Sequence, residues 1–354
     1  MKLKIELWTK VKLIVLMLFL SALTAVAQTL SPKELEFLRI QDSVLSNKTE
    51  HFFDFDKPGY HSNERKEALF LIDAITHDPK PHNNAIKDFF FNRIIKSLKS
   101  INATNVDSGV VIWNVYNMAY IVKSKDITIA FDLVLLPDCM IKGGEMEVHK
   151  KVFSEIVNLC DILFVSHNHR DHYDNYIAQE FLSQKKPVVT ENHIFIDKDF
   201  YNKVTHLTRN GKVIHFSVSG VEKKLALRIY PGHQAIADSA MNNNFTVVTL
   251  PNNITIAHSG DQSYTPDFSW LDTIRNDVDI DILMVNTWTA DPDRLVKGLN
   301  PKVVLPGHVS EMDHTIIGRI PYWKSYSIWK NSEAKTIQLF WGESFIYNIS
   351  TLIL

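Results

Sequence analysis

Residues 166–174 read Ser166-His167-Asn168-His169-Arg170-Asp171-His172-Tyr173-Asp174, directly after the apolar run Ile162, Leu163, Phe164 and Val165. His167, His169, Asp171 and His172 are all able to bind a metal, and they fall within six positions. A short β-run feeding a polar turn places these side chains at a strand end, where a sheet holds the loop fixed. Imidazole and carboxylate together suit zinc, iron or manganese. A divalent ion with an open coordination position makes a nucleophile from water near neutral pH.

Three later stretches share one layout: an apolar β-run stops at a Gly and a ligand-type residue follows. The run 225–230 ends in Pro231-Gly232-His233, the run 253–257 leads into His258-Ser259-Gly260-Asp261, and 303–305 ends in Pro306-Gly307-His308. Gly at such a point permits a tight turn and close approach of the backbone. His215, at the end of a short strand-like run, competes with His233 but lacks the preceding Gly.

From Val110 to the C-terminal residue, this order of motifs resembles the metallo-β-lactamase fold superfamily of metal-dependent hydrolases. The resemblance implies a four-layer αββα sandwich and two divalent metal ions, zinc first, with manganese or iron as alternatives. By matching position it implies His167, His169 and His233 at one metal, Asp171, His172 and His308 at the other, and Asp261 bridging the pair. Asp171 also gains a catalytic role, orienting the water-derived nucleophile. Ile112-Trp113-Asn114-Val115-Tyr116-Asn117 and Phe131-Asp132-Leu133 are similar to the branch containing L-ascorbate-6-phosphate lactonase and N-acyl-phosphatidylethanolamine phospholipase D. That similarity makes Tyr116 and Asn117 substrate-side residues, with Trp288 either lining the cleft or packed as an ordinary aromatic. The implied activity is hydrolysis of an ester, lactone, amide or phosphodiester bond in a small-molecule or lipid-like substrate. Two other readings stand beside it: a di-iron redox protein of the same fold and a non-catalytic metal-binding member.

Neighbouring residues carry alternatives of their own. Asp174 reads either as a carboxylate holding a ligand imidazole or as the N-cap of a helix over 175–182. Arg170 either meets an anionic substrate group or is a surface arginine. His258 is a loop histidine or a donor at the site rim. His149 and His314 read as helix-surface residues.

Residues 1–27 carry a separate signal. Lys2, Lys4, Lys10 and Lys12 precede the apolar stretch 13–20, and Ala25-Val26-Ala27 supplies a small-x-small cleavage pattern. This is the pattern of a secretory signal peptide, and it places the mature protein in the periplasm or outside the cell, with no stable membrane anchor. Removing four Lys and one Glu takes the formal charge from −2 to −5. The longest basic clusters of the mature chain are single pairs such as Lys185-Lys186, not the basic stripe that a phosphate backbone needs, which argues against a nucleic-acid partner. Cys139 and Cys160 permit one disulfide, but their spacing does not argue for one.

The rest of the chain divides in two. Helical spacing over 31–47, 63–76 and 84–100 suggests a helical N-terminal extension, 28–105, packed on a catalytic domain, 106–354. From Gly109 short β-runs dominate, first 110–115, 119–123 and 127–131, later 246–250, 254–257, 282–285 and 303–305, with helical patterns between the later ones. Two β-rich halves with helices give an α/β class, two sheets covered by helices, without a clear sequence repeat between the halves.

Overall fold

The computed structural model describes residues 31–53, 60–76, 80–81, 83–222, 224–237, 239–314 and 318–348. The expected signal peptide lies outside the described residues. By compactness the chain divides after Val44, and Leu45–Leu354 forms one unit. A first helix, α1 (Pro32–His51), runs across that division. Ser31 sets its start: the Ser31 Oγ accepts from the Glu34 N–H at 3.3 Å, and Glu34 Oε2 accepts from the Ser31 N–H at 2.6 Å. This reciprocal pair satisfies donors that a helix start otherwise leaves open.

The larger unit holds helices α2 (Asn63–Ile75), α3 (Asn84–Ala103), α4 (Met146–Leu159), α5 (Asn175–Ser183), α6 (Phe268–Leu271), α7 (Pro292–Leu299) and α8 (Tyr322–Trp329). One sheet is built from β1 (Val110–Tyr116), β2 (Ala119–Lys123), β3 (Thr128–Phe131), β4 (Ile162–Phe164), β5 (Val188–Thr190) and β6 (Thr205–His206). The other is built from β7 (Ile214–Phe216), β8 (Leu225–Ile236), β9 (Ser239–Thr249), β10 (Thr255–His258), β11 (Ile282–Asn286), β12 (Val303–Gly307) and β13 (Lys335–Thr336). A last strand, β14 (Ser344–Tyr347), returns to the first sheet and pairs with β1, with Val110 opposite Tyr347. The strand orders are β14-β1-β2-β3-β4-β5-β6 and β7-β8-β9-β10-β11-β12-β13. Read in those orders, each sheet has three antiparallel pairings followed by three parallel ones. The halves therefore repeat in pairing, although no repeat is visible in their sequences.

Side-chain alternation along β1 shows how the layers stack. Val110 and Ile112 point into a core shared by the two sheets, together with Phe131, Phe164, Leu225, Ile256, Met284 and Leu305. Val111, Trp113 and Val115 point the other way, onto Phe90 and Ile94 of α3, Phe153 of α4 and Phe181 of α5. The outer face of the second sheet, with Val247, Leu283 and Val304, packs on Phe268 of α6, Leu295 of α7 and Trp329 of α8. Strands buried on both faces read as continuous apolar runs, as β1 does. The result is four layers, helix, sheet, sheet, helix, as the resemblance implied.

The N-terminal helices from residue 45 onward are part of this unit. Leu69 and Ile72 of α2 and Phe89 of α3 join the same core as the first sheet. Buried Arg65 pairs with Glu343 and donates to the Gln338 carbonyl at 2.7 Å, and Arg93 Nε donates to the Trp341 carbonyl at 3.0 Å. His149 departs from its expected place on a helix surface. It is 2% exposed, with its ring stacked on Phe91 of α3 at 3.7 Å between centroids. His314 is half exposed and lies 3.3 Å from Glu311. Cys139 and Cys160 are both free thiols.

Candidate metal centre

The loop after β4 is held from below by one carboxylate. Asp132, just past β3, accepts from the Ser166 N–H and the Ser166 hydroxyl, each at 2.7 Å, and its Oδ2 lies 2.7 Å from His172 Nδ1. Asp132 is fully buried and sits at φ 44°, an unusual conformation for a residue with a side chain. Burial opposes its charge, but His258, His172 and Ser166 outweigh that and keep its carboxyl below the usual range. With Nδ1 engaged, His172 turns Nε2 toward the centre, as ligand imidazoles do when a carboxylate fixes their tautomer.

Around that nitrogen the structure gathers two groups of ligand types, Asp171, His172, Asp261 and His308 in one and His167, His169 and Asp261 in the other. Asp171 Oδ2 lies 2.9 Å from His172 Nε2 and 3.1 Å from His308 Nε2. Asp261 belongs to both groups through different oxygens. Its Oδ1 lies 3.2 Å from His172 Nε2 and 3.4 Å from His308 Nε2, and its Oδ2 lies 3.4 Å from His167 Nε2. His167 Nε2, His172 Nε2 and Asp261 Oδ1 are buried with no hydrogen-bond partner. Buried polar atoms are ordinarily satisfied, so three such atoms converging on one place fit a bound cation.

The electrostatics agree. Burial works against the charges of Asp171 and Asp261, yet His172 and the other imidazoles beside them hold both carboxyls well below the usual range. Burial likewise opposes the imidazolium forms of His172 and His308, but the carboxylates beside them raise both well above the ordinary value. Two carboxylates held this close together, Asp261 buried and Asp171 at the cavity wall, demand positive charge, and divalent cations meet that demand as protons do.

Gly260 allows Asp261 to reach the centre. It has φ +50°, and an added Cβ would lie 2.6 Å from the Ser166 Cβ and collide with Asn243 Oδ1. That same Asn243 oxygen accepts from the Asp261 N–H at 2.9 Å, and its amide donates to the Ser259 carbonyl at 2.8 Å. His308 also adopts a positive φ, 57°, past the end of β12.

Six of the seven expected metal ligands thus come together, and His233 stands apart from both groups. Its Nδ1 faces the Asp267 carboxylate at 3.0 and 3.1 Å, and Asp267 is further held by Gln262 Nε2 at 2.9 Å. The next residue, Gln234, turns to the centre instead and donates from Nε2 to Asp261 Oδ2 at 3.1 Å. His215, the rival to His233, is exposed on β7.

The substrate-side expectations are placed as follows. Asn117, at φ 48° in the β1–β2 turn, is buried and donates to Asp171 Oδ2 at 2.9 Å, so it acts on a ligand. Tyr116 is buried, its hydroxyl accepting from the Met312 N–H at 3.2 Å. Trp288 stands edge-on to His308 at 5.1 Å between centroids. A cavity of about 1040 Å³ opens over the centre, lined by His169, Asp171, Asp261, His308, Arg170 and Trp288, with Tyr116 and Gln234 in its wall and His233 outside it. Asp174 caps α5 by accepting from the N–H groups of Tyr176 and Ile177 at 2.7 and 3.1 Å. His258 is an ordinary bonded histidine, Nε2 3.0 Å from the Met118 carbonyl and Nδ1 accepting from the Gly260 N–H at 3.2 Å.

No protein-family model matches the sequence, and no curated protein matches it. Solved structures do. Igni18, a novel metallo hydrolase from the hyperthermophilic archaeon Ignicoccus hospitalis KIN4/I, is similar over 68% of this chain and 100% of its own, with TM-score 0.50 and 17% identity. A possible metal-dependent hydrolase from Veillonella parvula DSM 2008 is similar over 68% of this chain and 100% of its own, with TM-score 0.51 and 15% identity. The fold is the metallo-β-lactamase fold. An isothiocyanate hydrolase from Delia radicum gut bacteria is similar over 67% of this chain and 99% of its own, with TM-score 0.50 and 13% identity. Within the metallo-β-lactamase fold, sequence reasoning missed Asp132 as the partner of His172, Asn243 and Gln234. Only Asp132 lay in a stretch already singled out, and nothing local marked the other two.

Proposed function

We propose that the protein is a metal-dependent hydrolase with a two-cation centre. The observation that carries this reading is Asp261, with one oxygen toward His167 and the other toward His172 and His308. Bound divalent cations, zinc first with manganese or iron as alternatives, acidify water and polarise the bond to be cut. His167 and His169 would hold one ion, and Asp171, His172 and His308 the other, with Asp261 between them.

The remaining work falls to the chain itself. Asn117 fixes the direction of Asp171, and Asp132 fixes the tautomer and aim of His172. Asp171 borders the cavity and is positioned to orient the attacking nucleophile there. Leu135, Leu136, Met146 and Trp288 give the cavity an apolar wall, and exposed Arg170 offers a cation to an anionic group. This mixture suits a small-molecule or lipid-like substrate with an ester, lactone, amide or phosphodiester bond. The stretches 112–117 and 131–133 support a place near the lactonase and phospholipase D branch.

Export belongs to the same proposal and rests on the basic segment, apolar stretch and Ala25-Val26-Ala27 pattern. No helix among the described residues is long and apolar enough to cross a membrane. The test is elemental analysis of the purified full chain together with turnover on phosphodiester, lactone, ester and β-lactam substrates. Two zinc or manganese ions with chelator-sensitive turnover are expected. An iron chromophore without hydrolysis would replace this reading with a redox one, and bound metal without turnover on any substrate would replace it with a non-catalytic one.

A further inference from the structure

The strand expected to complete the His167 and His169 group presents an amide to the centre. Neighbouring residues on a strand point to opposite sides, so His233 and Gln234 of β8 cannot both face the centre while the strand stays regular. The pairing of β8 with β9 is regular here, His233 opposite Asn242 and Gln234 opposite Met241. His233 is tied on its own side by Asp267, with its N–H donating to Gln262 Oε1 at 3.0 Å and its carbonyl accepting from Ser263 and Tyr264. Gln234 is 8% exposed and lines the cavity, with Nε2 on Asp261 Oδ2. Its Oε1 is buried and has no hydrogen-bond partner, like His167 Nε2 beside the same carboxylate.

Resting on the metal-centre reading above, we propose that Gln234 Oε1 is the third ligand of the His167–His169–Asp261 site, making the two cation sites unequal. The Asp171–His172–Asp261–His308 site has two imidazoles and two carboxylates. The other has two imidazoles, a shared carboxylate and a neutral amide oxygen. An amide carbonyl is a weaker and harder donor than imidazole, so this site binds zinc less tightly and shifts toward manganese or magnesium. The chain then carries one firmly held ion and one exchangeable ion.

Calorimetric titration of the chelator-treated full chain with zinc and with manganese tests this, read as affinity and stoichiometry rather than activity. Two zinc-binding events differing by about tenfold or more are expected, an order taken from the effect of altering ligand shells. Gln234→His should tighten the weaker zinc event by about tenfold or more, and Gln234→Ala should weaken it. The isosteric Gln234→Glu, which keeps the packing and adds a charge, should also tighten it. His233→Ala should keep both events. Loss of an event in His233→Ala, equal events in the unaltered protein, or indifference to all three Gln234 variants would overturn the proposal. Complete absence of metal binding in the unaltered protein would overturn the two-cation reading with it.

Discussion

Asp132 Oδ2 and His172 Nδ1 lie 2.7 Å apart, joining the end of one strand to the loop that follows its parallel neighbour. This contact decides which imidazole nitrogen faces the centre, so the geometry of a ligand rests on a residue that touches no substrate. Asp132→Asn keeps the shape but removes the charge that favours the Nδ1–H tautomer. Metal affinity at the Asp171–His172–His308 site should fall about 10–100-fold, measured by competition with a chromogenic chelator, while circular dichroism stays unchanged. Unaltered affinity would reduce Asp132 to a structural support for Ser166.

Asp261 serves both groups, so its replacement should reach further than loss of one imidazole. Asp261→Asn removes the negative charge that offsets two dications. Occupancy of at least one site should fall and turnover should drop about a hundredfold or more. Elemental analysis after dialysis, with kinetics on the same sample, checks this. Two retained ions with near-normal turnover would require another bridge.

Gly260→Ala tests the backbone beneath Asp261. An L-residue in the left-handed region costs about 1–2 kcal/mol, and overpacking against Ser166 and Asn243 adds about 1–3 kcal/mol. Urea unfolding should therefore show a loss of about 2–5 kcal/mol. Metal affinity should weaken as well, because Asn243 also holds the Asp261 N–H.

His149 supplies a pH dependence remote from the centre. Burial under Phe91, and secondarily the charge of Lys142, press its pKa down to about 4. The unfolded chain takes up a proton near the ordinary value of about 6.5 that the folded chain refuses. The stabilisation is therefore complete above about pH 6.5 and is lost as pH falls toward about 4. Melting temperatures measured across that window should decline, and His149→Phe should flatten the decline. An equal slope in the variant would place its origin elsewhere.

The parts most legible in the sequence were those coded locally. The His167–His172 run, the Gly260-Asp261 turn and Gly307-His308 each join a β-run to a ligand within a few residues, and the structure brings all of them together. What escaped was set by phase or by distance. A Gly before His233 marks a strand near the site, but period-two alternation decides whether His233 or Gln234 faces inward, and composition does not fix that phase. Asp132 and Asn243 meet the loop from strands far away in the chain. His149 looked solvent-facing because its own helix is amphipathic, and the cover comes from Phe91 on another helix.

The strand β14 bears on how the chain reaches this state. On the side away from β2, Val110 to Trp113 find their backbone partners at 344–347, so that edge of the first sheet stays unpaired until the segment has left the ribosome. Arg65, buried and paired with Glu343, waits for the same segment. An exposed run such as Val110-Val111-Ile112-Trp113 is a ready template for another nascent chain. Synthesis therefore includes an interval in which most of the ligands are already made but the molecule is prone to self-association. Loss of residues 344–347 would prolong that interval indefinitely, yielding insoluble protein even though every metal-binding side chain remained in the sequence.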